Sequence, residues 1–237
     1  MKEKVQEIND KLMDRSAEEV LEYFADSYPG KVTLGSSMGA EDQVLTDMIY
    51  KINKNVSVFT LDTGRLFPET YELIDRTSKK YGLHIKILFP DRNQVEEMVN
   101  SKGINLFYDS IENRKLCCHI RKIEPLKRAL PGNKVWINGI RKDQSLLRFY
   151  TKLVDWDDNH KIIKVNPLLK WTEKDVWSYI KKNDVPYNKL HDKGYPSIGC
   201  KSCTRVVKEG EDFRSGRWWW EDPEHNECGL HVNEDKK

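Results

Sequence analysis

Five cysteines stand at 117, 118, 200, 203 and 228, two close pairs and a single one. That arithmetic suits four metal ligands and one reactive thiol. A disulfide framework would not persist in a reducing compartment. Cys200-Lys201-Ser202-Cys203 is a CxxC, a spacing shared by zinc sites, iron–sulfur sites and redox dithiols. The redox form expects the motif to open a helix, whereas here it follows the loop residues GYPSIG. Cys117 and Cys118 are adjacent, which strains any bridge between them and departs from the wider spacing of paired zinc ligands. A polynuclear cluster, with its irons on separate corners, accepts neighbouring thiolates more readily. The two pairs therefore read as ligands of an iron–sulfur cluster, with zinc as the alternative. On a helix, Arg121 and Lys122 would each share a face with one of the cysteines that precede them. Cys228 lies in the short polar stretch HNECGLH, which suits an exposed nucleophile whose thiolate His231 would stabilise.

A second group of residues suits anions. Ser36, Ser37 and Gly39 offer hydroxyl and backbone N–H groups just ahead of an expected helix, a phosphate cradle that is neither a Walker loop nor GxGxxG. Arg65, Arg141, Arg148, Arg214 and Arg217 add guanidinium groups, the best donors for phosphate and sulfate oxygens. Any one of them alone reads as a surface charge. Trp218-Trp219-Trp220, flanked by Arg214 and Arg217, reads as a lid or stacking surface over a ligand.

These residues need positioning, and the hydrophobic pattern says by what. Val5 to Phe24 have helical spacing, so one amphipathic leading helix is expected over 5–24. Strands are predicted at 31–37, 56–62, 84–90 and 134–140, alternating with helices at 41–51, 68–82 and 93–102. The segment 117–130 reads as helical, with Pro125 kinking or restarting it. Asp157 to His160 reads as a hairpin or strand connection, and Thr172 to Asp175 as a capping box for a helix to about Asn183. The alternation predicts an α/β fold with a parallel sheet, whose ligands bind at the carboxyl ends of the strands. The chain beyond Pro186 has no clear period and is expected to be irregular. The organisation expected is a nucleotide-binding domain with the cluster at 1–205 and a C-terminal tail at 206–237 carrying the catalytic cysteine.

The 237 residues carry 40 Lys and Arg against 38 Asp and Glu, and a net charge of +2 gives no basic excess for nucleic acid. The N-terminus is charged throughout and no run is apolar enough to span a membrane, so a cytoplasmic protein is expected.

With those residues laid out, the chain closely resembles the assimilatory adenylylsulfate and phosphoadenylylsulfate reductases. The stretches are SSMGAEDQ (36–43), LDTGRLFPETY (61–71), CCHIRK (117–122), NGIRKDQS (138–145), PYNKLHDKGYPSIGCKSCTR (186–205), GEDFRSGRWWWE (210–221) and ECGLH (227–231). The resemblance implies a Rossmann-like fold of the adenine-nucleotide alpha-hydrolase type. It also implies a [4Fe–4S] cluster on Cys117, Cys118, Cys200 and Cys203, and a homo-oligomer. By the same resemblance Cys228 attacks the sulfate sulfur, AMP leaves, and thioredoxin or a glutaredoxin-like dithiol releases sulfite from the enzyme thiosulfonate. Lys122, Arg214 and Arg217 would neutralise the phosphosulfate, and Ser36, Leu61, Thr63 and Gly139 would hold the nucleotide. Ser37, Gly64, Arg65, Arg141, Arg148 and His231 complete the expected substrate set. The cluster-bearing type points to adenylylsulfate as substrate, with phosphoadenylylsulfate or dual use as the alternative. Met38 and Ala40 depart from the SGGxDS loop of ATP-using relatives, which disfavours an ATP-dependent tRNA-thiolating enzyme. A zinc-stabilised nucleic-acid module would need a basic face that the net charge does not support.

Overall fold

Two short helices, not one, open the chain in the computed structural model, which describes residues 1–52, 55–145 and 148–222. α1 (Lys2–Leu12) buries Val5, Ile8 and Leu12, and α2 (Ala17–Ser27) buries Val20, Leu21 and Phe24. The break corrects the single helix expected over 5–24. Its cause is a capping box: the Ser16 hydroxyl accepts from the Glu19 N–H, and the Ser16 N–H donates to Glu19 Oε2 at 2.8 Å. This satisfies backbone donors that a continuous helix would not leave open.

The chain then alternates as expected. β1 (Val32–Ser36), α3 (Ala40–Ile52), β2 (Val56–Leu61), α4 (Pro68–Tyr81), β3 (Ile85–Leu88) and α5 (Arg92–Lys102) follow in order. Pro68 sits at the start of α4, where its missing N–H costs nothing, and Gly82 at φ +59° ends it. α6 (Ile111–Cys118) and α7 (Glu124–Ala129) precede β4 (Val135–Ile137). The antiparallel pair β5 (Val154–Asp157) and β6 (Ile162–Val165) and then α8 (Glu173–Lys182) follow. The Thr172–Asp175 capping box opens α8 as the sequence predicts.

The six strands lie in the order β3-β2-β1-β4-β6-β5, with β1 parallel to both β2 and β4, and β4 parallel to β6. The order reverses direction of travel at β1 and β4, the position where open α/β sheets bind ligands beyond the strands' carboxyl ends. Beyond α8 the described residues form short 3₁₀ turns at His191–Lys193 and Lys201–Cys203 and an isolated antiparallel bridge between Thr204 and Arg217.

The chain divides into two compact units. The first comprises Met1–Thr60, Glu69–Lys86 and Gly132–Lys189; the second comprises Leu61–Pro68, Ile87–Pro131 and the chain from Leu190. The first has its core in α1, α2, α3, α8 and the inner strands, including Phe24, Leu34, Leu45, Met48, Val135 and Val165. The second has a smaller core of Met98, Leu106, Phe107, Ile120 and Trp218 together with Cys117, Cys200 and Cys203. Among the described residues no helix is long and apolar enough to cross a membrane.

Candidate functional site: a thiol cluster and a strand-end clasp

In the second unit, α6 is capped by Ser110, whose hydroxyl accepts from the Asn113 N–H, and it delivers Cys117 and Cys118 in its last turn. The helix then widens into a π turn at His119–Ile123 before α7 restarts with Pro125 in its first turn. An α-helical path would set the Pro125 ring against the Arg121 carbonyl, and the extra residue in the turn relieves that clash. The helical segment thus begins earlier than the expected 117, and Pro125 restarts it.

Three short segments converge on the two cysteines. Thr63 Oγ1 lies 3.2 Å from Cys200 Sγ, and the Thr63 carbonyl accepts from Arg121 Nη1 at 2.7 Å. The Lys201 N–H donates to the Arg65 carbonyl at 2.8 Å, tying the 62–65 loop to the CxxC turn. Arg65 lies over the Phe107 ring and donates to the Ile104 carbonyl. Gly64, at φ +70°, follows Asp62, whose Oδ1 accepts the Gly64 N–H at 2.7 Å. Leu61 ends β2, half-buried.

The segment 204–221 covers the same cysteines. The Trp218 N–H donates to the Cys203 carbonyl, and Thr204 bridges to Arg217. A side chain at Gly199 would collide with the Arg217 guanidinium, so only glycine admits this close approach. Trp218 is 1% exposed, held between Arg217 (4.7 Å) and Arg114 (5.0 Å). Arg114 makes a two-pronged buried ion pair with Glu221, at 2.9 and 2.7 Å. This corrects the expected tryptophan lid: Trp218 is core, Trp220 is half-buried beside Phe107 and Tyr108, and Trp219 alone is exposed. Stacked cations let an indole enter the core that its flanking charges had seemed to forbid. Arg214 stands in the turn before, its carbonyl accepting the Arg217 N–H.

All four thiols border one cavity, together with Arg65, Arg121 and Lys122. None is in a disulfide. Burial pushes the Cys117 thiol up against the opposing pull of Arg121, and burial with the neighbouring Cys200 pushes Cys203 up to about 11. Thiols so placed stay neutral near pH 7 unless a metal takes their charge. Among the described residues no three His, Cys, Asp or Glu side chains converge on a point that one ion would fill. Four soft thiols beside three cations are a donor set whose chemistry suits an iron–sulfur group.

The first unit holds the other expected residues, and it organises them differently. Ser36 Oγ accepts the Met38 N–H at 3.1 Å, and Met38 takes φ +62° with its side chain buried beside Leu73 and Ile74. Ser37 donates both its N–H and its hydroxyl to Asp42 Oδ2, each at 2.6 Å. Asp42 also accepts from the Gly139 backbone, and a side chain at Gly139 would overlap the Asp42 carboxylate. Arg141 is 2% exposed and engaged by Glu41 Oε1 at 2.9 Å and by Asp143; Gln144 bonds to Glu41, and Arg148 to Gln144. The Ser37 hydroxyl and the Arg141 guanidinium both donate to carboxylates, and these contacts hold the loop. Sequence reading missed Asp42, Glu41 and the Arg114–Glu221 pair, since acidic residues in a first helical turn ordinarily mean only a favourable helix dipole. Cys228 and His231 lie outside the described residues.

The phosphoadenosine phosphosulfate reductase domain family matches the chain over residues 31–206. The chain belongs to this family. Among its relatives, the adenosine 5'-phosphosulfate reductase of Allochromatium vinosum is 47% identical over 203 residues, covering 86% of this chain and 79% of the relative. The enzyme of that name from Neisseria meningitidis serogroup A is 51% identical over 197 residues, covering 83% and 81%. A crystal structure of phosphoadenylyl-sulfate reductase from Candida auris, a phosphate complex, matches at TM-score 0.75 and 30% identity, covering 87% of this chain and 98% of that one. FMN adenylyltransferase from Candida glabrata, at 20% identity and TM-score 0.51 over 72% of this chain and 53% of that one, shares the fold alone. This member of the family has a mostly parallel six-stranded sheet and a cavity bordered by four thiols.

Proposed function

We propose that this protein reduces adenylylsulfate to sulfite and AMP, in the cytoplasm, as a step of sulfate assimilation and cysteine biosynthesis. The observation that carries the reading is the cavity bordered by Cys117, Cys118, Cys200 and Cys203 in a chain whose relatives bear the name adenosine 5'-phosphosulfate reductase. The four thiolates would hold a [4Fe–4S] cluster, which when bound supplies a compact charged centre beside the cations and rigidity to the surrounding loops.

The chemistry belongs to the chain's own residues. The Cys228 thiolate, carried on the tail 206–237, attacks the sulfate sulfur; the new S–S bond forms as the S–O bond to AMP breaks. Lys122, Arg214 and Arg217 would offset the charge that moves onto the departing phosphate. His231 would hold the thiolate. Ser36, Leu61, Thr63, Gly64 and Gly139 are the residues that the family resemblance assigns to the nucleotide. Arg65 and Arg148 support them. A dithiol such as thioredoxin then attacks the Cys228 sulfur, leaves as a disulfide, and supplies the two electrons that release sulfite. The family setting also favours a homo-oligomer. A second reading, use of phosphoadenylylsulfate, is favoured by the likeness to the Candida auris enzyme.

Intact-protein mass spectrometry after anaerobic incubation with adenylylsulfate, with phosphoadenylylsulfate in parallel, tests both. The expected result is a sulfonate on Cys228 from adenylylsulfate, removed by thioredoxin. No adduct from either nucleotide on iron-replete protein would sink the reading and direct attention to ATP-dependent chemistry.

A further inference from the structure

We infer that Asp42 is a positioning residue for the nucleotide: as a carboxylate it clasps the loop after β1 to the loop after β4 and so sets the strand-end geometry of the first unit. The inference rests on the reading of those strand ends as a nucleotide site.

β1 and β4 are parallel neighbours, and the order of the sheet reverses between them. Ser37 follows β1 directly and Gly139 comes second after β4, and one buried side chain binds both. Asp42 Oδ2 takes the Ser37 N–H and hydroxyl at 2.6 Å each, and the Gly139 backbone closes on the same carboxylate. Gly139 cannot carry a side chain here, because a Cβ would overlap the Asp42 carboxylate and stand 2.9 Å from the Glu41 Cβ. The clasp thus fixes how near the two loops stand.

The charges around it come from two elements. Glu41, next to Asp42 on α3, is of like sign, and its carboxylate pairs with Arg141 from the segment after β4, where Asp143 also engages that guanidinium. The β1 loop contributes only the uncharged Ser37. Burial, first, and Glu41 push Asp42 up to about 6, against the pull of the Ser37 and Gly139 hydrogen bonds. Protonation near that pH removes one of the acceptor sites on which the clasp depends.

The test uses iron-replete Cys228→Ser protein, which binds substrate without turnover, and adenylylsulfate, whose phosphate and sulfate stay ionised across the range. Calorimetry would follow affinity between about pH 7.5 and about pH 5.5. Binding should weaken about threefold as the pH falls to about 5.5, as expected when a carboxylate titrating at about 6 is mostly protonated and its protonated form binds about tenfold less well. With Asp42→Asn added, affinity at the higher pH should be about tenfold lower and the profile flat in this range. Equal affinity, or an unchanged pH slope, would overturn the clasp while leaving the proposed function standing. Ser37→Ala carries the test if Asp42→Asn does not fold: it removes one donor, and wild-type affinity in that variant overturns the inference equally. Absence of any adenylylsulfate binding by the Cys228→Ser protein would remove the proposed function and the inference together.

Discussion

The thiol cavity of the second unit and the strand-end clasp of the first are both buried and polar, but their charges are balanced differently. In the clasp, Ser37, Asp42, Glu41, Arg141 and Gln144 satisfy one another with hydrogen bonds of ordinary length, so the loop is complete as it stands. In the cavity, burial pushes the Cys117 and Cys203 thiols up while Arg65, Arg121 and Lys122 border the same space, a setting in which a thiol gives up its proton to a bound group more readily than to water. A network of paired charges suits holding loops in place, and neutral thiols beside cations suit taking a group in.

The largest expected effect probes the reactive thiol, Cys228, which lies outside the described residues. Cys228→Ser should lower sulfite release by on the order of a thousandfold or more while iron content stays at the wild-type level. Normal turnover would dismiss the nucleophile. Cys203→Ala should lose iron and activity together, measured as iron per protomer and sulfite formed. An iron-replete, active variant would mean that the cavity is closed like the clasp, and the comparison would collapse.

A stability change sharpens it further. The Arg114–Glu221 pair is 2% and 3% exposed, so Arg114→Met leaves a buried carboxylate unpaired and should cost about 3–5 kcal/mol by denaturant unfolding. Replacing both partners by apolar residues should restore much of that loss; if it does not, the stacking of Arg114 on Trp218 carries the stabilisation. The smallest effect belongs to Lys122. Lys122→Ala should weaken adenylylsulfate binding about tenfold with iron content retained, and unchanged binding would leave that cation outside the substrate's reach.

The sequence by itself determined much of this protein. Periodic apolar positions gave β1, β2 and the helices α3 to α5 to within a residue at each end, and gave β3 and β4 longer than they are; Pro68 and Gly82 bounded α4, and Thr172 with Asp175 opened α8. The paired cysteines marked themselves out in the sequence, and the fold brings all four to one cavity. These signals are local, because a helix turn, a cap or a CxxC is decided by residues within one turn of each other. Even there the Ser16–Glu19 box, equally local, was overlooked in favour of a longer apolar stripe. Only tertiary structure decided the rest. Thr63 meets Cys200 across 137 residues and Arg114 meets Glu221 across 107, separations at which no pattern in the chain specifies a partner. The burial of Trp218 between two arginines, and of Asp42 beneath two loops, follows from strand order and packing. Whether a charge faces water, a ligand or an opposite charge depends on what folding brings within a few ångströms of it.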